Sequence, residues 1–92
     1  MVRLDLHPKL RRRAQKLSAS EVAAVESALE QLRQGFGQPH LHGGLGIRQL
    51  CRNLYECRAG LRLRILFWAK RGVLTAFDVM THDEIRIFLR NF

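Results

Sequence analysis

The fold is decided by residues 54–89, LYECRAGLRLRILFWAKRGVLTAFDVMTHDEIRIFL, which read as three consecutive strands and a short helix. Residues 61–70 alternate, and their apolar face carries Leu61, Leu63, Ile65, Phe67 and Ala69. Arg71-Gly72 suits a tight turn, because glycine adopts positive φ at little cost. The returning strand, 73–80, would then place on its core face Val73, Thr75, Phe77 and Val79. With residues 54–59 as the preceding strand, the stretch predicts an antiparallel meander.

The second face of this meander collects charge and aromatic character. It would carry Glu56, Arg58, Arg62, Arg64, Asp78 and His82, alongside Leu66, Trp68 and Met80. Arginines on rigid strands are good phosphate ligands, because the guanidinium fork matches phosphate oxygens and keeps its charge. The alternative is the solvated face of a half-buried antiparallel sheet, and the strands alone do not choose between the two.

A helix is predicted directly after the meander. Thr81 and Glu84 have the spacing of a capping box, so residues 83–91 should be helical. The residues expected to face inward are Ile85, Phe88 and Leu89. His82 would lie at the strand-to-helix junction, where it could also be a capping or packing histidine.

The N-terminal third predicts a short strand and a helix hairpin. The alternation within residues 1–6 predicts an edge strand, Pro8 suits a first helical turn, and residues 9–17 should form a basic amphipathic helix. This helix could approach phosphates or anionic lipid, or could simply be solvated. Ser18 and Glu21 fit a second capping box, which starts a helix ending at Gly35. The apolar faces of both helices should cover the apolar face of the sheet.

Residues 35–53 read as a glycine-punctuated loop with a short strand at 47–50. The GGLG run is not expected to cradle phosphate, since a P-loop or dinucleotide motif needs a strand before it and a helix after it. His40 and His42 with a cysteine could in principle hold zinc, but the second closely spaced ligand pair is missing. The sequence therefore predicts no metal and no cofactor.

Composition narrows the classes of partner. Ninety-two residues allow one domain, 1–92, and the net charge of +8 with a pI near 11.1 favours an anionic partner. No signal peptide or membrane span is visible, so we expect a soluble cytoplasmic protein without membrane partners. Cys51 and Cys57 are too few for a disulfide framework and are expected to be reduced packing residues.

Four segments in order carry a resemblance to a known family: GLGIRQL (44–50), LYECRAG (54–60), LRLRILF (61–67) and FDVMTHDEIRIFLRN (77–91). Together they resemble the RelE/ParE superfamily of bacterial and archaeal toxins from type II toxin–antitoxin pairs. The resemblance implies an α+β fold in which an N-terminal helix hairpin packs on a small antiparallel sheet of about four strands, with a short C-terminal helix.

In the ribonuclease branch, the resemblance implies metal-independent cleavage of messenger RNA, often on the ribosome, which inhibits translation. The 2′-hydroxyl would attack the adjacent phosphate, a reaction needing proton transfer and cationic stabilisation. Arg58 and Arg64 match the arginines that stabilise charge, and His82 matches the position assigned proton transfer. Asp83, Glu56 or Asp78 would assist. Substrate-binding candidates are Arg62, Arg48 and Phe88.

The chain also departs from the family pattern. Several ribosome-dependent members carry lysines around the first meander strand, where this chain has Glu56 and Cys57. Some carry a catalytic tyrosine near the end, where this chain has Phe88, which cannot transfer protons. The resemblance is therefore greater to the members that use histidine.

Two other functions remain open. A non-enzymatic toxin of the same superfamily that poisons DNA gyrase would share this scaffold, and a basic RNA-binding module would share its charge. Either toxin would have a cognate antitoxin, with an acidic or amphipathic segment covering the cationic face in a hetero-oligomer.

Overall fold

The computed structural model describes residues 2–38 and 44–92, in which three helices accompany one five-stranded sheet. In chain order the elements are β1 (Arg3–Leu6), α1 (Pro8–Ala14), α2 (Ala19–Gly35), β2 (Arg48–Cys51), β3 (Leu54–Ala59), β4 (Leu63–Lys70), β5 (Val73–Thr81) and α3 (His82–Arg90). The strand order is β1-β5-β4-β3-β2, with β1 parallel to β5 and the other pairs antiparallel. The predicted α+β class and meander are confirmed, with five strands instead of about four.

Capping side chains fix where the helices start. The Ser18 hydroxyl accepts from the Glu21 amide while the Glu21 carboxylate accepts from the Ser18 amide, so the predicted capping box is confirmed. Helix α1 ends at Ala14, earlier than predicted, because the Ser18 cap requires extended backbone and leaves only residues 15–17 for the turn between helices. Across the described residues, no helix is both long and apolar enough to cross a membrane.

The main core lies between helices α1 and α2 and one face of the sheet. Its buried helical residues are Leu10, Val25, Ala28 and Leu32, and they meet a strand layer of Cys57, Ala59, Leu63, Ile65, Phe67, Leu74, Ala76 and Val79. Burial of apolar area, at about 25 cal/mol per Å², is the main force that holds these layers together. Leu61 was predicted to join the core, but it is fully exposed because β4 begins only at Leu63.

A β-bulge changes the pattern of β5. Leu66 pairs with Asp78 and Phe67 with Ala76, so Phe77 is an extra residue on β5. Leu74 and Ala76 face the main core before the bulge, and Val79 does so after it. The predicted core face was therefore right at Val79 and wrong at the three earlier positions, Val73, Thr75 and Phe77.

The second face of the sheet is partly covered by α3. Leu66, Met80 and Ile85 form a second buried cluster, against which Leu50, Phe77 and Phe88 pack. The predicted Thr81–Glu84 capping box is confirmed, and Ile85 faces inward as expected, whereas Leu89 is exposed. Four rings form a closed chain of contacts, with centroids 5.3–6.2 Å apart: Trp68, Phe77, Phe88 and Phe92.

Candidate nucleic-acid interface

Three arginines share the second face of the sheet beyond the area that α3 covers. Arg58 and Arg64 are direct partners across β3 and β4, and Arg48 is the partner of Glu56 across β2 and β3. Direct antiparallel partners, and residues two apart on one strand, point to the same face. The three side chains therefore leave the sheet on one face, which we call the arginine face (Arg48, Arg58 and Arg64), and Arg58 at its edge also lines a hollow next to α2.

Glu56 lies within the arginine face and is completely buried. Its Oε2 accepts a hydrogen bond from Arg48 Nη2 at 2.9 Å, and its Oε1 lies 3.6 Å from Arg64 Nε. The pairing offsets the cost of burying a carboxylate. Glu56 was predicted to assist catalysis, but at 0% exposure its carboxylate cannot reach a substrate proton.

Asp78, the other carboxylate expected on this surface, is also buried. Its Oδ2 lies 3.2 Å from Lys9 Nζ, its Oδ1 lies 3.9 Å from Arg13 Nε, and Oδ1 accepts from the Val79 amide at 2.8 Å. These contacts tie β5 to α1. The structure thus gives Asp78 a structural role, because only 2% of its surface is accessible.

Arg58 is positioned by the loop before β2. Its amide donates to the Leu45 carbonyl, and its guanidinium lies over Gly46, which has φ +57. A Cβ atom at position 46 would be 3.3 Å from Arg58 Nε, which is closer than ordinary van der Waals contact. The GLG segment therefore supports an arginine instead of cradling phosphate with its own backbone.

His82 is the first residue of α3, and its side chain is exposed. His82 lies two residues after Met80, which pairs directly with Arg64 across β4 and β5. The junction between β5 and α3 is therefore next to the arginine face. Asp83, also exposed, forms an ion pair with Arg86 at 3.3 Å within the same helix. An exposed imidazole at this junction is accessible to a bound substrate.

The other two predicted substrate-binding residues lie elsewhere. Arg62 was expected within a strand, but it precedes β4 and its guanidinium is hydrogen-bonded to the Glu21 carboxylate on α2. Phe88 packs against Phe77 and Phe92 in the aromatic cluster. The geometry therefore places Arg48, Arg58 and Arg64 on one face of the sheet, and it pairs Arg62 with α2 instead.

Metal and thiol chemistry find little support among the described residues. His40 and His42, the residues considered for zinc, lie outside the described ranges. Within those ranges, no three His, Cys, Asp or Glu side chains are grouped as a metal site would require. Burial raises the pKa of Cys57 to about 12, and the neighbouring Glu56 charge adds to this effect, so the Cys57 thiol is not a nucleophile at neutral pH.

Sequence reasoning missed two features of this site. It did not predict the burial of Glu56, although a carboxylate between apolar residues on a central strand is a signal that it needs a charged partner. It also assigned no role to Gly46, because its contact with Arg58 joins residues twelve positions apart.

Solved structures were found that share the fold of this chain. The RelBE2 toxin–antitoxin complex of Mycobacterium tuberculosis is 17% identical, with a TM-score of 0.68, covering 88% of this chain and 98% of that chain. The RelB–RelE complex of Methanococcus jannaschii is 13% identical, with a TM-score of 0.71 and coverages of 91% and 96%. The RelE–RelB complex of Pyrococcus horikoshii is 14% identical, with a TM-score of 0.67 and coverages of 87% and 93%.

No protein-family model matches the sequence, and no curated protein matches it significantly. At 13–17% identity the three structures establish architecture. The resemblance seen in the sequence is therefore confirmed at the level of the fold, and this chain has the fold of RelE-type toxins.

Proposed function

We propose that this chain is the toxin of a toxin–antitoxin pair and acts as a metal-independent endoribonuclease on messenger RNA. The single observation that supports it most is the arginine face, where three arginines of neighbouring strands share one face of the sheet and an exposed histidine follows the strand next to them. The shared fold with toxins of RelB–RelE complexes is the second support. Such a target would place its action in the cytoplasm, on the ribosome or on free messenger RNA, and would inhibit translation.

In the proposed reaction the 2′-hydroxyl gives up its proton as its oxygen bonds to phosphorus, and the bond between phosphorus and the 5′-oxygen breaks as the leaving 5′-oxygen takes up a proton. Negative charge grows on the phosphate oxygens, and Arg64 and Arg58 would stabilise it with charge-assisted hydrogen bonds. His82 would carry out the proton transfer, because an imidazole can both accept and donate a proton and this side chain is exposed. Asp83 is the acidic neighbour of His82 that solvent can reach, with 80% of its side chain exposed, and it remains the candidate assistant.

Induced expression in bacteria tests this function directly. Growth and primer extension on a reporter transcript would be followed for wild type, His82→Ala and Arg64→Ala. Arg90→Ala is the matched control, since Arg90 is exposed at the far end of α3. We expect growth arrest with new transcript ends for wild type and Arg90→Ala, and neither for folded His82→Ala or Arg64→Ala.

Other outcomes separate the alternatives. Growth arrest with intact transcripts and induction of the DNA-damage response would favour the gyrase-poisoning function. RNA binding without growth arrest would favour an RNA-binding module. Circular dichroism of each purified variant shows whether a lost activity reflects the substituted side chain or a lost fold.

The proposed antitoxin partner is supported by a groove between α1 and α3. A hollow of about 420 Å³ is lined by Lys9, Arg12, Arg13, Gln15, Lys16 and Asp78. An adjoining hollow of about 390 Å³ shares Lys9, Arg13 and Asp78 and adds Met80, Glu84, Ile87 and Phe88. We call the two together the α1–α3 groove.

The α1–α3 groove is cationic at one end and apolar at the other. Arg12 and Lys16 have no acidic partner within the described ranges, and Ile87 is 56% exposed. An acidic amphipathic segment fits both ends, because its carboxylates would neutralise the cations while its apolar side chains cover Ile87. The proposed antitoxin would therefore dock here.

A further inference from the structure

The relationship among Arg48, Glu56 and Arg64 goes beyond an ordinary surface ion pair. Arg48 keeps 63% of its side chain exposed and Arg64 keeps 27%, while the carboxylate between them is completely buried. One carboxylate oxygen, Oε1, accepts no hydrogen bond. A buried oxygen that accepts no hydrogen bond lowers the stability of the folded protein. If the ion pair were only structural, both carboxylate oxygens would be expected to accept hydrogen bonds.

The two arginines have donors left for another anion. A guanidinium carries five N–H donors, and Glu56 accepts one of them, from Arg48. The three groups together carry a net charge of +1, which one phosphodiester would neutralise. The exposed parts of both guanidinium groups lie on the arginine face, where RNA phosphate is proposed to bind.

We propose that Arg48 and Arg64 form a two-arginine phosphate-binding site and that Glu56 is its positioning residue. This inference rests on the proposed function for the identity of the phosphate as RNA phosphate. Strand β2 is a four-residue edge strand with an irregular register, so a long Arg48 side chain would be mobile without an anchor. Glu56 holds Arg48 next to Arg64 before the phosphate arrives, which lowers the ordering cost of binding.

Charge alone and positioning predict opposite effects for the isosteric substitution Glu56→Gln. This substitution raises the net charge of the site from +1 to +2, so that a purely electrostatic role predicts tighter RNA binding. A positioning role predicts weaker binding, because the carboxylate no longer aligns the two guanidinium groups. Glu56→Asp keeps the charge but shortens the side chain. A positioning role therefore again predicts weaker RNA binding, whereas a purely electrostatic role predicts no change in RNA binding.

The test uses a short RNA with 2′-O-methyl groups at every ribose, which cannot be cleaved. Binding is followed by NMR of the arginine Nε–H groups, with salt titrations of the affinity. We expect the Arg48 and Arg64 signals of wild type to shift, and Glu56→Gln and Glu56→Asp to weaken binding about tenfold. The slope of log K against log salt should become shallower by about 0.7, the value for one lost phosphate contact on a single strand.

A matched control and a double-mutant cycle complete the experiment. Glu21→Gln removes another carboxylate that pairs with an arginine, Arg62, and should not weaken binding. In an Arg48→Ala/Arg64→Ala background, Glu56→Gln should have no further effect, because it acts through those two residues. Thermal unfolding shows whether each variant is folded. If Glu56→Gln does not fold, Glu56→Asp is used in its place.

Three results would overturn the inference: tighter binding by Glu56→Gln, additive effects in the cycle, or wild-type arginine signals that do not move. Its failure is separable from that of the proposed function. If the wild type cleaves transcripts and Glu56→Gln binds RNA unchanged, only the positioning role fails. If Glu56 variants bind more weakly but the wild type never cleaves RNA, the phosphate site stands and the nuclease function fails.

Discussion

Gly46 lies directly against the Arg58 guanidinium, so close that a Cβ atom at position 46 would make an unusually tight contact with it. Gly46→Ala would place a methyl group 3.3 Å from Arg58 Nε. We therefore expect Gly46→Ala to displace the guanidinium and to lower RNA cleavage by about tenfold, which corresponds to about 1.4 kcal/mol of transition-state stabilisation. Single-turnover cleavage of a reporter RNA measures this change.

Gly44→Ala is the matched control for Gly46→Ala. Gly44 also has positive φ, at +80, so alanine introduces similar backbone strain, but nothing lies within 4 Å of its Cβ position. Both variants should lose about 1 kcal/mol of stability, and only Gly46→Ala should lose activity. Equal loss of cleavage by both variants would show that loop strain, and not the contact with Arg58, matters.

Asp78 should be important for stability. Asp78→Asn removes the charge that Lys9 and Arg13 face, next to the β5 bulge, and leaves a buried amide in its place. We expect a loss of about 1–3 kcal/mol in the free energy of unfolding, measured by urea denaturation. Asp5→Asn is the control, because Asp5 pairs with Arg3 at an exposed site, and it should change stability by less than about 0.5 kcal/mol. Similar losses for both would argue against a role for burial at Asp78.

The fold followed from local signals that the structure retains. The capping boxes at Ser18 and Thr81 set helix starts to within one residue, because each depends on contacts three positions apart. The bulge at Phe77 could not be predicted in this way, since it arises from the register between β4 and β5. A single extra residue reverses which side chains face the core, and strict alternation fails there.

The candidate site was predictable in composition but not in arrangement. Arg58 and Arg64 fell on one face because strand periodicity alone places them there. Arg62 does not share that face, because its guanidinium is hydrogen-bonded to Glu21 on α2, which is 41 positions away in the sequence. Burial of Glu56 depends on strands packing on both sides of β3, which a single sequence does not display.

Glu84 should make stability depend on pH in the acidic range. A hydrogen bond from the Thr81 amide lowers the pKa of Glu84 below its ordinary value of 4.5, and Arg13 lowers it further. The carboxylate therefore stabilises the folded state above about pH 4.5 and loses this effect as pH falls through the lower pKa of the folded state. Glu84→Gln should be less stable than wild type by a few tenths to about 1 kcal/mol at pH 7, since the pair is partly exposed.

The difference between Glu84→Gln and wild type should disappear once the pH falls below the lowered pKa of folded Glu84, where the wild-type side chain is protonated too. Glu26→Gln is the control, because Glu26 is exposed and has no ion pair within the described part of the chain. Thermal unfolding from pH 2 to pH 7 provides the comparison. A difference that stays constant with pH would exclude a contribution from the Glu84 charge.

The two cysteines should react at very different rates with an alkylating reagent. At pH 8, a pKa of about 12 leaves about one part in ten thousand of Cys57 as thiolate, and the side chain is buried. Cys51 is half-buried and should be labelled first. In a Cys51→Ser variant, labelling of Cys57 should be slow and should speed up with urea. Rapid labelling of folded Cys51→Ser would contradict the burial of Cys57.

The α1–α3 groove predicts separate charge and apolar contributions to antitoxin binding. Arg12→Glu with Lys16→Glu should slow association with the proposed antitoxin and weaken the complex at least about tenfold, because steering by charge is lost. Ile87→Ser should instead speed dissociation, with little change in salt dependence. Surface plasmon resonance at two salt concentrations distinguishes these effects.

Lys70→Glu changes charge at the exposed end of β4, outside the groove, and should leave the complex nearly unchanged. If Lys70→Glu weakens the complex as much as the double variant does, overall charge and not the groove governs recognition.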